Sequence, residues 1–239
     1  MSNIIDFHSH VLPGIDDGSK SVEESIALLK MEAEQGIRRV VATPHFYAKY
    51  DEPKDFFVNR HEAILKLRSE IENHKGMPRL AFGAEVHFFS GMSHSNLLPY
   101  LTIGGKKCIL IEMPGSPWTE SMYRELENIS LKQDLLPIVA HVDRYISVFR
   151  THDIPQRLQE LPVLVQANAS FFLRNDTRRM ALKMLEKDQI QLLGSDCHNL
   201  SARKPNLGAA VELIQNKLGQ EVLDRICNYQ REALKQIKN

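Results

Sequence analysis

Short apolar runs alternate with longer stretches of helical periodicity along the whole chain. The runs are Ile4–His10, Val40–His45, Leu80–Glu85, Cys108–Glu112, Ile138–His141, Val163–Asn168 and Leu192–His198. Continuous Val, Ile and Leu predict strands buried on both faces, as in a parallel sheet. The stretches between them predict helices. Ser21 with Glu24 three residues on reads as a capping box, and Gly36 as the stop. Val22, Ile26, Leu29 and Ala33 form the apolar stripe between them. Further helices are expected over about Lys54–His74, Thr119–Lys132, Asp176–Lys187, Asn206–Lys217 and Gln220–Lys238, with a weaker one near Asp153–Glu160. Strands alternating with helices imply βα units, here with seven strands. No repeat, low-complexity tract or linker interrupts residues 1–239, so one domain is expected.

Six of the seven runs finish in a His, Asp or Glu. A strand buried on both faces has no reason to end in a metal-binding side chain. Six that do so imply one polar site at the carboxyl ends of a parallel barrel, where barrel enzymes keep their chemistry. The run Val163–Asn168 ends instead in an amide.

Composition narrows the classes. A hydrophobic content of 43% over 239 residues supplies a large core. Thirty basic and thirty acidic side chains give no net charge, which argues against a nucleic-acid partner. The first residues lack a signal-peptide pattern, and no apolar run approaches the ~20 residues of a membrane helix. Three cysteines without framework spacing fit a reducing cytoplasm.

His8 and His10 are two apart, so on a strand both rings can reach one ion. Alone, such a pair is as well explained by loop or core histidines. Asp16-Asp17-Gly18 is equally a turn, but its position raises Asp17 as a carboxylate ligand. Taken singly, Glu85 and Glu112 would be exposed loop acids and His45 a structural histidine. The set carries the argument: His8, His10, Asp17, His45, Glu85, Glu112, His141, Asp196 and His198. Nine nitrogen and oxygen ligands without thiolate exceed the need of one ion. Two or three ions are implied, of a kind such as Mn, Fe or Zn.

The motifs Asp6-x-His8-x-His10, Asp17-Gly18, Thr43-Pro44-His45, Gly83-Ala84-Glu85, Leu110-Ile111-Glu112, Ala140-His141-x-x-Arg144-Tyr145 and Ser195-Asp196-x-His198-Asn199 run in order from Ile4 to about Arg203. Together they resemble the polymerase and histidinol phosphatase (PHP) family, in particular its bacterial protein-tyrosine phosphatases of the CpsB/YwqE type. The resemblance implies an α/β fold, a distorted seven-stranded TIM-like (β/α)7 barrel, around a trinuclear and usually manganese centre. It makes the nine residues ligands and Arg144 the phosphate-binding arginine. It further implies a hydrolase of capsule and exopolysaccharide biogenesis acting on a phosphotyrosine protein, an autophosphorylated bacterial tyrosine kinase. Asp143 stands where relatives often carry Glu, and Cys197 where they often carry Ala or Met. Neither departure removes a ligand.

The expected chemistry is hydrolysis of a phosphate monoester. Clustered dications activate water near neutral pH and clamp the phosphoryl group. Arg144 adds a planar, permanently charged fork, although a surface salt bridge would also account for an arginine there. Arg203 is equally a substrate contact or a solvated arginine. Cys197–Arg203 also reads as Cys-x5-Arg, the spacing of thiol phosphatases, but the loop has no glycine and the cysteine sits between two ligand candidates. Three more functions compete for the same residues: a histidinol-phosphatase-like small-molecule phosphatase, a metal-dependent amidohydrolase and a non-catalytic metal-stabilised binding protein. Acids at both Glu85 and Glu112 and the late Asp-x-His do not fit the amidohydrolase pattern.

Overall fold

A computed structural model of the protein describes residues 4–149 and 153–235. Among the described residues nine short strands are interspersed with helices, and every strand pair is parallel. The strands are β1 (Asp6–Ser9), β2 (Arg39–Ala42), β3 (His45–Phe46), β4 (Arg79–Phe82), β5 (Glu85–His87), β6 (Cys108–Glu112), β7 (Leu136–Val139), β8 (Leu164–Asn168) and β9 (Leu192–Gly194). They form a β1-β2-β4 ladder and a β3-β5-β6-β7-β8-β9 ladder. The sheet curls until its last strand meets its first. Asp196 N–H donates to His8 C=O at 2.8 Å, and His10 N–H to Cys197 C=O at 2.9 Å.

Two of the expected strands are each broken in two. Thr43-Pro44 separates β2 from β3, and Gly83-Ala84 separates β4 from β5. Proline has no N–H for the ladder, so pairing is interrupted there. Backbone bonds from Gly83 N–H to Ala42 C=O and from Glu85 N–H to Pro44 C=O carry the two segments across the break. His45 and Glu85 therefore open second strands rather than closing first ones, and they sit opposite each other in register.

Alternation sorts the strand residues between two packed faces. Ile5, Phe7, Val41, Cys108, Leu110, Ile138, Ala140 and Leu192 make one cluster. Val40, Ala42, Ile109, Ile111, Val139, Val165 and Leu193 pack on the other side with the helices. Each fully buried Leu or Ile contributes about 1.5–3 kcal/mol.

The expected helices are present: α1 (Val22–Glu34), α2 (Pro53–Ile71), then α4 (Glu120–Gln133), the short α6 (Ile154–Gln159), α8 (Arg178–Glu186), α9 (Leu207–Leu218) and α10 (Gln220–Lys235). The expected end of the last helix, at Lys238, lies outside the described residues. Ser21 Oγ accepts from Glu24 N–H, but the Glu24 carboxylate reaches back to Lys20 N–H rather than to Ser21. Gly36 closes α1 at φ +82°. The buried stripe is shifted from expectation: Leu28 and Glu32 are buried, while Val22 and Ala33 are only half-buried. Three short helices, α3 (Leu98–Leu101), α5 (Val142–Phe149) and α7 (Ala169–Leu173), had no sequence signal. At four and five residues, α3 and α7 are too short to display a periodic stripe. Among the described residues no helix is long and apolar enough to cross a membrane.

Candidate metal centre

The strand ends converge on Glu85, at the start of β5. Its Oε2 lies 3.1 Å from His8 Nε2, 3.3 Å from His10 Nε2 and 3.0 Å from His45 Nδ1. Its Oε1 lies 2.8 Å from His141 Nε2. Yet Oε2 is buried without a hydrogen bond of acceptable geometry, as are His45 Nδ1, His141 Nδ1 and His198 Nε2. His8 Nε2 and His10 Nε2 face each other at 3.1 Å. Ligand atoms pointed at one another rather than paired suit shared cations better than hydrogen bonds.

All nine residues expected from the sequence come together in overlapping groups whose ligand atoms lie within 4.8 Å of one another. One group holds His10, Asp17, His45 and His198; another holds His8, Glu85 and His141. A third is His8, His10 and Asp196, and a fourth His45, Glu85 and Glu112. The donors are imidazole and carboxylate, which fits hard or borderline dications. Asp17 stands at the mouth, largely exposed, 3.4 Å from His45 Nε2 and 3.3 Å from His198 Nε2.

The backbone is bent to make this possible. His141 and Asp196 hold φ at +32° and +53°, costly for residues with a Cβ. A Cβ on Gly194 would lie 2.6 Å from His8 Cβ, and one on Gly18 would lie 2.3 Å from the His10 carbonyl oxygen. Only glycine lets β9 and the Asp17 loop approach β1 so closely.

A supporting shell orients the rings. Asp16 accepts from His10 Nδ1 at 2.7 Å and from the backbone N–H of His45 and Gly18. Gln166 Oε1 accepts from His141 N–H and faces His8 Nδ1. Asn168 Nδ2 donates to Asp196. Sequence reasoning missed Asp16, although it lies in Asp16-Asp17-Gly18, because a turn carboxylate gives no sign of which ring it faces. Gln166 and Asn168 carried only the weak signal of polar side chains ending a buried strand.

Electrostatics follow from burial and the company kept. Burial opposes charge on His10, but Asp16 and Glu85 overcome it and raise the ring to about 10. Burial likewise opposes charge on His141, and Glu112 and Glu85 raise it to about 9. Burial and the His10 charge push His198 down to about 4. Glu85 is held well below the usual range against its burial by His8, His10, His141 and His45. His141 and His87 hold Glu112 down to about 2, again against burial.

Two arginines border the centre. Arg144 places Nη1 at 3.2 Å from Glu112 Oε1 and Nη2 at 2.6 Å from Asp196 Oδ2. Arg203 places Nη2 at 2.7 Å from Asp196 Oδ1. Both are partly exposed, so their forks remain accessible from the mouth. Cys197 is fully buried beside Asp6 and Glu32, and burial with those two acids pushes its thiol well above the usual range. Burial and proton retention both count against a thiolate nucleophile in Cys-x5-Arg.

A curled parallel α/β sheet with a histidine–carboxylate cluster that could hold metal at its carboxyl ends defines the class of protein. The sequence profile of the family described as capsular polysaccharide synthesis, CpsB/CapC, matches residues 4–235, and the chain belongs to that family. It is similar to the tyrosine-protein phosphatase CpsB of Streptococcus agalactiae serotype III (strain NEM316), with 29% identity over 227 residues, covering 91% of this chain and 92% of the relative. Tyrosine-protein phosphatase YwqE of Bacillus subtilis (strain 168) is 24% identical over 227 residues, covering 92% and 87%. Among solved structures, the fold matches that of the metal-dependent tyrosine phosphatases YwqE from B. subtilis and CpsB from Streptococcus pneumoniae. The TM-score is 0.86 at 22% identity, over 99% of this chain and 96% of that one.

Proposed function

We propose that this protein is a metal-dependent protein-tyrosine phosphatase. The observation that carries the reading is the gathering of nine imidazole and carboxylate side chains in overlapping groups, with His8, His10, His45 and His141 against Glu85 and two arginines at the rim. Membership of the CpsB/CapC family, whose relatives are named tyrosine-protein phosphatases, supports it. His8, His10, Asp17, His45, Glu85, Glu112, His141, Asp196 and His198 would hold the metal, which we assign as three manganese ions. Such ions supply activated water near neutral pH and neutralise phosphoryl charge. Arg144 binds phosphoryl oxygens through its planar fork, and Arg203 assists from the opposite side of Asp196. Counting β2 with β3 and β4 with β5 gives a distorted seven-stranded barrel, in a single domain. The substrate is the phosphotyrosine of a bacterial tyrosine kinase controlling capsule or exopolysaccharide synthesis, and the site of action is the cytoplasm.

The test is an activity panel of phosphotyrosine peptide, phosphoserine peptide and histidinol phosphate, each with Mn, Zn or Fe. Preferred hydrolysis of phosphotyrosine, lost on chelation and restored by Mn, is expected. Preference for histidinol phosphate would make it a small-molecule phosphatase instead. Chelator-resistant turnover would remove the metal from the mechanism.

A further inference from the structure

An aromatic edge adjoins the centre on one side only. On β3, Phe46 turns into the core against Phe56, with ring centroids 5.0 Å apart, while His45 and Tyr47 flank it in sequence. Residues i and i+2 share a face of a strand. The Tyr47 ring accordingly lies 5.2 Å from the His45 ring and 5.3 Å from the ring of His87. His87 is two residues past Glu85 on β5, and its Nδ1 faces Glu112 Oε2 at 3.1 Å. Tyr47 is therefore in ring contact with one candidate ligand and with the partner of another. It is held in place through its backbone. Its N–H donates to Asp51 Oδ2 at 2.6 Å, and its carbonyl accepts from the N–H of Tyr50 and Asp51. Tyr47 and His87 are each partly exposed, so the wall they form faces open space. Tyr50 continues the edge outward, 6.5 Å from the Tyr47 ring and 75% exposed.

A second aromatic group near the centre is not available in this way. Tyr145 is buried, its hydroxyl accepts from Met113 N–H, and Trp118 packs edge-on against it at 4.8 Å. Tyr145 is core, with the partly buried Trp118 packed over it; the Tyr47 edge is surface beside chemistry.

We propose that Tyr47, backed by His87, is the wall against which the aryl ring of the substrate stacks, and that it sets the preference for aryl over alkyl phosphate esters. The inference rests on the phosphatase reading above. His45, Glu85 and Glu112 would hold a metal ion that draws the phosphoryl group to this edge of the site, since the two carboxylates alone would repel it. The ring attached to its ester oxygen then lies along Tyr47. Offset or tilted packing of two rings is favourable, and an alkyl ester such as phosphoserine has no ring to offer. Tyr50, further out, meets the residue flanking phosphotyrosine in a peptide rather than the ring itself.

The experiment compares kcat/KM for a phosphotyrosine peptide, p-nitrophenyl phosphate and glycerol phosphate, with metal content measured on each preparation. Tyr47→Ala is expected to lower the aryl-to-alkyl preference about 3- to 10-fold, mainly through KM, at full metal content. Tyr47→Phe should keep the preference, and Tyr47→Leu, which keeps bulk for folding, should lose it. Tyr50→Ala should raise KM for the peptide and leave that for p-nitrophenyl phosphate as it was. A preference that is the same in Tyr47→Leu and Tyr47→Phe overturns the proposal. So does a parallel fall on all three substrates together with lost metal, since Tyr47 would then only support His45. A wild-type protein that prefers glycerol phosphate to both aryl esters would refute the phosphotyrosine reading and the wall with it, before any variant is compared.

Discussion

Two clusters of buried acids sit side by side at the junction of β1 and β9, and they have opposite fates. In one, Glu85 and Asp196 are surrounded by His8, His10, His45, His141 and His198, with Arg144 and Arg203 at the edge. Both carboxyls are held below the usual range despite burial. In the second, Asp6 and Glu32 gather around Cys197, and Asp6 Oδ2 and both Glu32 oxygens are buried without hydrogen-bond partners. Burial raises Asp6, and burial with the Asp6 charge raises Glu32 well above the usual range. A buried acid without a cation keeps its proton, and one among imidazoles gives it up. The adjacent residues Asp196 and Cys197 go one to each cluster. A charged centre and a buttress that resists ionisation thus meet at the adjacent residues Asp196 and Cys197. Asp6 Oδ1 still accepts from the N–H of His8 and Ser195, which fastens the two ligand-bearing strands together.

The contrast breaks most sharply at Glu85. Glu85→Ala should lose metal by elemental analysis and lower turnover by at least about 10³-fold, beyond the loss from one charge-stabilising donor. Normal metal content with normal kinetics would remove Glu85 from the centre. Arg144→Ala should keep metal and fold but lose about 10²–10³-fold in turnover, with Arg144→Lys recovering part. Loss of metal there would make Arg144 structural. Asp16→Asn, which leaves His10 without its anionic partner, should weaken metal affinity about 10- to 100-fold, measured by titration with a competing chelator.

The pH dependence sharpens the same comparison. His10 and His141, raised to about 10 and about 9, stabilise the metal-free fold fully below about pH 6.5. That contribution is lost as pH rises through 9 to 10. Glu32, raised well above its ordinary value by burial and Asp6, holds its proton more tightly folded than unfolded, so it too costs stability as pH rises above about 4.5. Thermal unfolding of the chelated protein should therefore show a Tm falling from pH 6.5 to 10. Mn should raise Tm more at high pH, because it displaces protons from the rings. A Tm that rises with pH in the chelated protein would contradict both assignments. The smallest effects belong to the Asp6, Glu32 and Cys197 cluster. Glu32→Gln should flatten the acid side of that curve, and Cys197→Ser should keep most activity and remain chelator-sensitive. Iodoacetamide inactivation abolished by Cys197→Ser would restore the thiol mechanism.

Much of this was legible in the chain alone. Continuous apolar runs specified buried parallel strands, because no other element needs them, and a ligand type at the edge of six runs marked one shared site. The eight residues so marked, with Asp17 from the loop after the first run, all meet in the structure. The break after Thr43-Pro44 was legible as a proline but not as the reason His45 starts a new strand opposite Glu85.

What the sequence by itself determined was element type and which side chains sit at strand ends, since both are written in local periodicity. Partnership was decided only by the tertiary structure. It chose Asp16 rather than Asp17 to hold His10, sent Cys197 into the core beside Asp6 and Glu32, and brought Tyr47 against His45 and His87. The physical reason is that protonation, hydrogen bonding and access depend on distances across the fold, and residues far apart in the chain carry no local signal of who their neighbours will be.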